Sequence, residues 1–223
     1  MPKPTFAQLS SKQKKRIYSV CLKLLAANGC RRTTIKAITR RLKVADGYLH
    51  YYFTGKDDLI KWAMDVGIEQ WMEHCTRCLA DNRPDDLVEL VKLIVLQQIR
   101  FARAHGDIFA AYLSLINERN FPHLDYLLEK ISWTDNLFAA AIADAIRGGS
   151  VRADAPPELV AMIVDLVATR MQEFAWDPNY DPLGIGKMDE PQIVRLLDQL
   201  MGLLRDGFGP RDPALPAVGG AGS

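Results

Sequence analysis

The chain has 223 residues, 48% of them hydrophobic and 25% charged, enough apolar matter for a real core and incompatible with a disordered or fibrous class. No apolar run approaches the roughly 18 residues that span a bilayer, and the opening Met-Pro-Lys-Pro-Thr-Phe lacks a signal peptide's apolar stretch, so a cytoplasmic protein is expected. The net charge of +1 hides an asymmetry: residues 1–56 carry thirteen Lys or Arg against one acid, Asp46, a net of +12, while the remainder, with 15 basic and 26 acidic residues, nets −11. Two regions with different partners follow, the basic one suited to a polyanion such as DNA.

Helical periodicity runs through nearly the whole chain. Ile17, Val20, Cys21, Leu24 and Leu25 mark one face of a first helix from Ser10 to the Asn28-Gly29 stop. Thr33-Thr34 offers an N-cap to a second helix of about two turns, with Ile35, Ile38 and Leu42 on one side. A third short helix is expected over Asp46–Phe53, and Thr54 to Asp58 reads as a turn opening a fourth that runs to about Asp81. Further helices are predicted over Asp86–His105, Asp107–Asn120, Leu124–Arg147, residues 156–175 and Gln192–Asp206, with a loop at 176–191. No segment alternates as a strand does, so the fold class is all-α. The division expected is a three-helix domain over 1–55, a larger helical domain over 56–209 and a disordered tail over 210–223.

Two-turn helices are not stable alone and need tertiary support. Ile35 and Ile38 on one, Leu49 and Phe53 on the next, and the long face of the first can share a small core, which makes a helix-turn-helix. Arg31, Arg32, Lys36, Arg40, Arg41 and Lys43 then fall on its outside. The stretch RIYSVCLKLLAANGCRRTTIKAITRRLKVADGYLHYYFTGKDDL resembles the N-terminal DNA-binding domain of the tetracycline-repressor (TetR) family of bacterial transcription regulators. Gly29, Thr33-Thr34, Ile38, Val44, Gly47, Leu49, Tyr52-Phe53, Lys56 and Leu59 stand at the family's characteristic places, over residues 12 to 60. Four positions depart from the pattern. Lys43 replaces a Gly in the turn, Ala45 a Ser or Thr N-cap, Asp46 a frequent Lys or polar residue, and His50 a Tyr.

The resemblance implies that double-stranded DNA, as a partly palindromic operator, is the partner of Arg32, Thr33, Thr34, Lys36, Asp46, Gly47, Tyr48, His50, Tyr51, Tyr52 and Lys56. Thr34 and Lys56 would hold phosphates, Gly47 would allow close approach, and Tyr48 and Tyr51 would meet base edges, with His50 and Tyr52 nearer the backbone. Tyr52 divides evenly between DNA and core. Asp46 could accept from a cytosine amine or cap its own helix. The resemblance also implies a homodimer held by the last two long helices, through Leu159, Ile163, Leu166, Val167 and Arg170 with Ile193, Leu196, Leu197, Leu200 and Leu204. Such a dimer would set two recognition helices about 35 Å apart.

Between these ends, Trp62, Trp71, Gln98, Phe101, Tyr112, Asn117 and Trp133 form a candidate lining for a small apolar or aromatic effector that releases the protein from its operator. The rival reading is an architectural DNA-binding protein on the same fold without an effector. Cys75-Thr-Arg-Cys78 after His74 has a metal-like spacing but no second ligand pair, so neither metal nor cofactor is expected. Gly184-Ile-Gly186 without a preceding strand and four scattered histidines give no catalytic motif, so an enzyme is not expected.

Overall fold

Ser10 opens the first long helix with a capping box. Its hydroxyl accepts the Gln13 N–H, and the Gln13 amide oxygen accepts the Ser10 N–H at 2.9 Å. The structure is a computed structural model describing residues 2–81, 84–119, 121–152, 154–176 and 180–208. Its nine α-helices among the described residues are α1 (Ser11–Arg32), α2 (Ile35–Leu42), α3 (Lys56–Asp81), α4 (Leu87–Ala104), α5 (Gly106–Glu118), α6 (Leu124–Ile131), α7 (Trp133–Arg147), α8 (Pro157–Trp176) and α9 (Glu190–Phe208). The all-α class holds, with no strand among the described residues. The expected tail over 210–223 lies outside them.

Two expectations fail, each for a local reason. The third helix does not form: Asp46 to Tyr48 make a turn, and only Leu49–Tyr51 wind into a 3-10 helix. Ala45 offers no side-chain cap there, and Gly47 carries a high entropic cost in a helix. The helix expected over Leu124–Arg147 breaks at Ser132, whose hydroxyl donates back to the Glu129 carbonyl at 2.7 Å and ends α6. A 3-10 turn over Pro4–Gln8, which no sequence pattern announces, precedes α1.

The chain folds as two compact units, Met1–Asp81 with Arg100–Trp133, and Asn82–Ile99 with Thr134–Ser223. In the first, α1 packs most extensively against α5. One apolar cluster runs unbroken from Ile38, Leu42, Leu49 and Phe53 in the head through Ile17, Cys21 and Leu25 of α1 to Leu59, Met64, Ile108 and Leu115. Gly67 makes a close crossing possible, since a Cβ there would lie 2.9 Å from Ile108 Cγ2.

In the second unit, Asp86 caps α4 by accepting the Glu89 N–H at 3.0 Å. Lys92 pairs with Asp198, and Arg205 lies 3.6 Å from Asp86, joining α9 to α4. Val160, Val164, Ala168, Met171 and Ala175 form the buried face of α8. Leu159, Met162 and Leu166 lie on its other side, 46%, 52% and 52% exposed, with Arg170 also exposed and Ile163 and Val167 half-buried. Ile193 and Leu197, expected in a dimer seam, are 1% and 0% exposed in the single chain, so their area is already used inside their own unit. Leu196, Leu200 and Leu204 are half-buried, and Leu203, not singled out in the sequence, is exposed. Within the expected loop, Asp181 accepts the N–H groups of Ile185 and Gly186 at 2.9 and 2.7 Å, which seats a fully buried Ile185.

Candidate nucleic-acid interface

Thr34 caps α2, its hydroxyl accepting the Ala37 N–H at 3.1 Å, and stays exposed. Thr33 beside it does the opposite. It is 1% exposed, and its hydroxyl lies 2.7 Å from the Gly29 carbonyl and 3.1 Å from that of Leu24. A DNA contact from Thr33 is thereby corrected to a structural tie, because a buried hydroxyl already committed to backbone carbonyls has nothing to offer a phosphate.

Lys43 ends α2 in the left-handed region, φ 55 and ψ 48, as the replacement of the turn Gly implies. The Arg16 guanidinium covers the same helix end, donating to the Leu42 carbonyl at 2.5 Å. Across the turn, the buried Thr39 hydroxyl lies 3.1 Å from the Lys36 carbonyl and 3.4 Å from Asp46 Oδ1. A hydroxyl has one proton for these two acceptors, so Asp46 holds a weak tie from the recognition turn back to α2 while remaining exposed.

The three tyrosines take three different environments. Tyr51 is 56% exposed, and Tyr52, half-buried, meets Tyr48, Tyr51 and Phe6 edge-on at 5.2, 5.1 and 6.2 Å. Tyr48, expected to point at DNA, is half-buried and packs on the core. Burial pushes its hydroxyl's pKa up, with Tyr52 adding to the shift and Gln13 and Arg16 opposing it, which places that hydroxyl toward α1. His50 and Gly47 are exposed beside Tyr51.

The basic residues Arg31, Arg32, Lys36, Arg40, Arg41 and Lys43 are all exposed on the same small head. Lys56 starts α3 as expected, but its ammonium donates to the Cys30 carbonyl at 3.0 Å, leaving two protons for any anion. The same Cys30 and its neighbour supply a feature the sequence did not suggest. Glu118, at the end of α5, accepts the Cys30 N–H at 2.8 Å through Oε1 and the Arg31 N–H at 3.0 Å through Oε2. It does so at the kink where Gly29 adopts φ 76 and ψ 172.

The effector candidates scatter. Trp62 is half-buried and packs against the head, edge-on to Phe6 at 4.9 Å, with Phe53 at 5.6 Å. Trp71 and Phe101 meet at 5.1 Å within a ring cluster that includes His74 and His105. Tyr112 is half-buried against the same core, Asn117 is exposed, and Gln98, with a buried and unpartnered Oε1, belongs to the second unit. Trp133's side chain lies outside the described residues. Cys78 Sγ stands 4.0 Å from His74 Nε2, and no group of three metal-ligating side chains occurs among the described residues.

Residues 17–62 match the family model of bacterial regulatory proteins, tetR family. No curated protein matches the chain. Among solved structures, a TetR family transcriptional regulator from Chloroflexus aurantiacus is 20% identical, with 95% of this chain and 100% of that one covered and a TM-score of 0.76. The ketosteroid transcriptional regulator KstR2 of Mycobacterium tuberculosis is 14% identical over 91% and 98% of the two chains, at a TM-score of 0.66. FadR from Bacillus subtilis, in complex with stearoyl-CoA, is 16% identical over 87% and 99%, at 0.64. These likenesses extend the shared fold well beyond the matched head.

Proposed function

We propose that this chain, whose head matches the tetR family and whose fold is that of TetR-family regulators, is a dimeric, sequence-specific DNA-binding transcriptional regulator. The observation that carries the reading is what the head leaves exposed: Tyr51 and His50 on the turn that follows α2, and Arg32, Lys36, Arg40, Arg41 and Lys43 on and around α2. Cations bind phosphates without regard to sequence, and an exposed aromatic side chain on the same head can read bases. Residues 1–55 do this work and 56–209 serve dimerisation and effector binding. The exposed Leu159, Met162 and Leu166 of α8 support a seam between two copies.

Repression relieved by a small apolar or aromatic effector is the mode we infer. The Trp71–Phe101 ring cluster supports an apolar ligand, as does the stearoyl-CoA held by a protein of the same fold. A binding selection from random duplexes, at two salt concentrations, tests the reading. The chain should enrich a partly palindromic sequence, and Tyr51→Ala should lose that preference while retaining salt-sensitive binding. Binding without sequence preference by the parent chain would refute it. For the effector, a ligand found by thermal shift should also release the selected duplex; stabilisation without release sinks that part alone.

A further inference from the structure

Three consecutive carbonyls at the end of the recognition turn, those of His50, Tyr51 and Tyr52, have no following helical turn to receive N–H groups, because Phe53 to Gly55 leave the helical path. A 3-10 helix of three residues is held by few and poorly aligned bonds of its own. All three carbonyls are nevertheless satisfied, from a segment some 46 residues earlier in the chain. The Lys3 ammonium donates to His50 at 2.8 Å, the Thr5 hydroxyl to Tyr51 at 2.9 Å, and the Lys3 N–H to Tyr52 at 2.8 Å. This segment is anchored independently of those bonds. Phe6 and Leu9 are 8% and 6% exposed, the Phe6 ring lies 5.1 Å from Phe53, and Lys14 of α1 donates to the Ala7 carbonyl at 3.3 Å.

We propose that residues Lys3 to Leu9 are a positioning strap that sets the sequence specificity of the recognition turn. The inference rests on the DNA-binding reading above. Phe6 and Leu9 hold the strap to the core, and Lys3 and Thr5 then fix the backbone directions of the residues that carry His50 and Tyr51. Base readout needs side chains placed to fractions of an ångström, and a turn with only a few helical bonds of its own does not supply that alone. Lys3 and Thr5 act through His50, Tyr51 and Tyr52 rather than on bases.

The test uses the full chain, its selected duplex and a scrambled duplex. Thr5→Val keeps shape and burial but removes the donor; Lys3→Met keeps the stem and removes the ammonium; Thr5→Ser restores a hydroxyl. Thr5→Val and the Thr5→Val/Lys3→Met double variant should lower the ratio of selected to scrambled affinity about five- to tenfold each, the scale of one or two lost hydrogen bonds at the readout surface. The Thr5→Val melting temperature should stay near the parent's, because Phe6 and Leu9 remain in place, and Thr5→Ser should restore the ratio. An unchanged ratio in Thr5→Val overturns the strap while leaving the DNA-binding reading intact. So does an equal loss on both duplexes with a salt slope reduced by about one, which would make Lys3 a phosphate contact. A parent chain that selects no sequence removes the reading on which the strap depends, and the strap with it.

Discussion

Replacing Gly29 by Ala perturbs one point where backbone conformation, a side chain from a distant helix and the entry to α2 meet. At φ 76 and ψ 172, Gly29 occupies a region essentially closed to residues with a Cβ, and placing one there costs about 1–3 kcal/mol. The added carbon would also stand 2.2 Å from Glu118 Oε1, so the carboxylate must leave its place. That breaks its two bonds to the Cys30 and Arg31 N–H groups, at 2.8 and 3.0 Å. Bonds to an ionised acceptor contribute about 1.5–3 kcal/mol each when dry, but Glu118 is only half-buried and water can replace part of that, so about 2 kcal/mol for the pair is the fair figure. The sum is about 4 kcal/mol, or a fall in Tm of about 8–16 °C for a chain of this size.

Denaturant unfolding followed by far-UV circular dichroism measures the loss, and a double-mutant cycle with Glu118→Ala divides it. In the Glu118→Ala background the steric part is gone, so Gly29→Ala should cost only its backbone share of about 2 kcal/mol. Two results would refute the reasoning. One is a Gly29→Ala chain within about 1 kcal/mol of the parent. The other is a cost that is the same with and without the Glu118 carboxylate.

Lys43→Gly should raise stability by about 1 kcal/mol, since the left-handed φ of 55 strains any residue with a Cβ; a drop in Tm would show that the lysine side chain contributes more than its backbone costs. Burial pushes the Cys21 and Cys75 thiols up to about 12. Both should resist thiol reagents at neutral pH until the chain unfolds, and a reaction as fast as that of Cys78 would contradict their burial. Because their folded pKa values are raised above the ordinary 9.0, the folded chain keeps these protons longer than the unfolded one. The contribution of these two thiols to stability should therefore be constant below about pH 9 and fall as pH rises toward about 12, by about 1 kcal/mol per pH unit for each. If the proposed dimer forms through α8, the parent chain should sediment as a dimer and Leu166→Glu, on the exposed face of that helix, as a monomer with little loss of helicity; a monomeric parent, or an unchanged coefficient in the variant, would refute this seam.

What the sequence made legible follows from range. Residues whose role depends on neighbours three or four apart were readable: the Ser10 start, the Thr34 cap, and the faces through Ile17, Cys21 and Leu25. The recognition segment misled because Leu49 and Phe53 have helical spacing, yet with Ala45 uncapping its start and Gly47 inside it the local energies do not close an α-helix. What shapes this turn comes from far along the chain, and spacing carries no trace of it. Lys3 and Thr5 reach it from the N-terminal side, and a polar pair among prolines looks like a loose end until Phe6 is seen to be buried.

The same blindness hid Glu118. On α5 it is one acid at the end of an apolar helix, and only the fold brings it to the Gly29 kink 89 positions away. Its placement bears on how the head can respond to anything else in its unit. The core from Leu49 and Phe53 to Ile108 and Leu115 is continuous, and close-packed interiors transmit displacement rather than absorb it. A shift of α5 would therefore move the Cys30 and Arg31 amides directly, and with them Thr34 at the start of α2 and the Lys56 ammonium on the Cys30 carbonyl. If an effector acts on this chain, α5 and its terminal carboxylate offer a short physical route to Thr34 and Lys56, the residues proposed to meet phosphates, and Glu118→Gln is the substitution that weakens it without changing its shape.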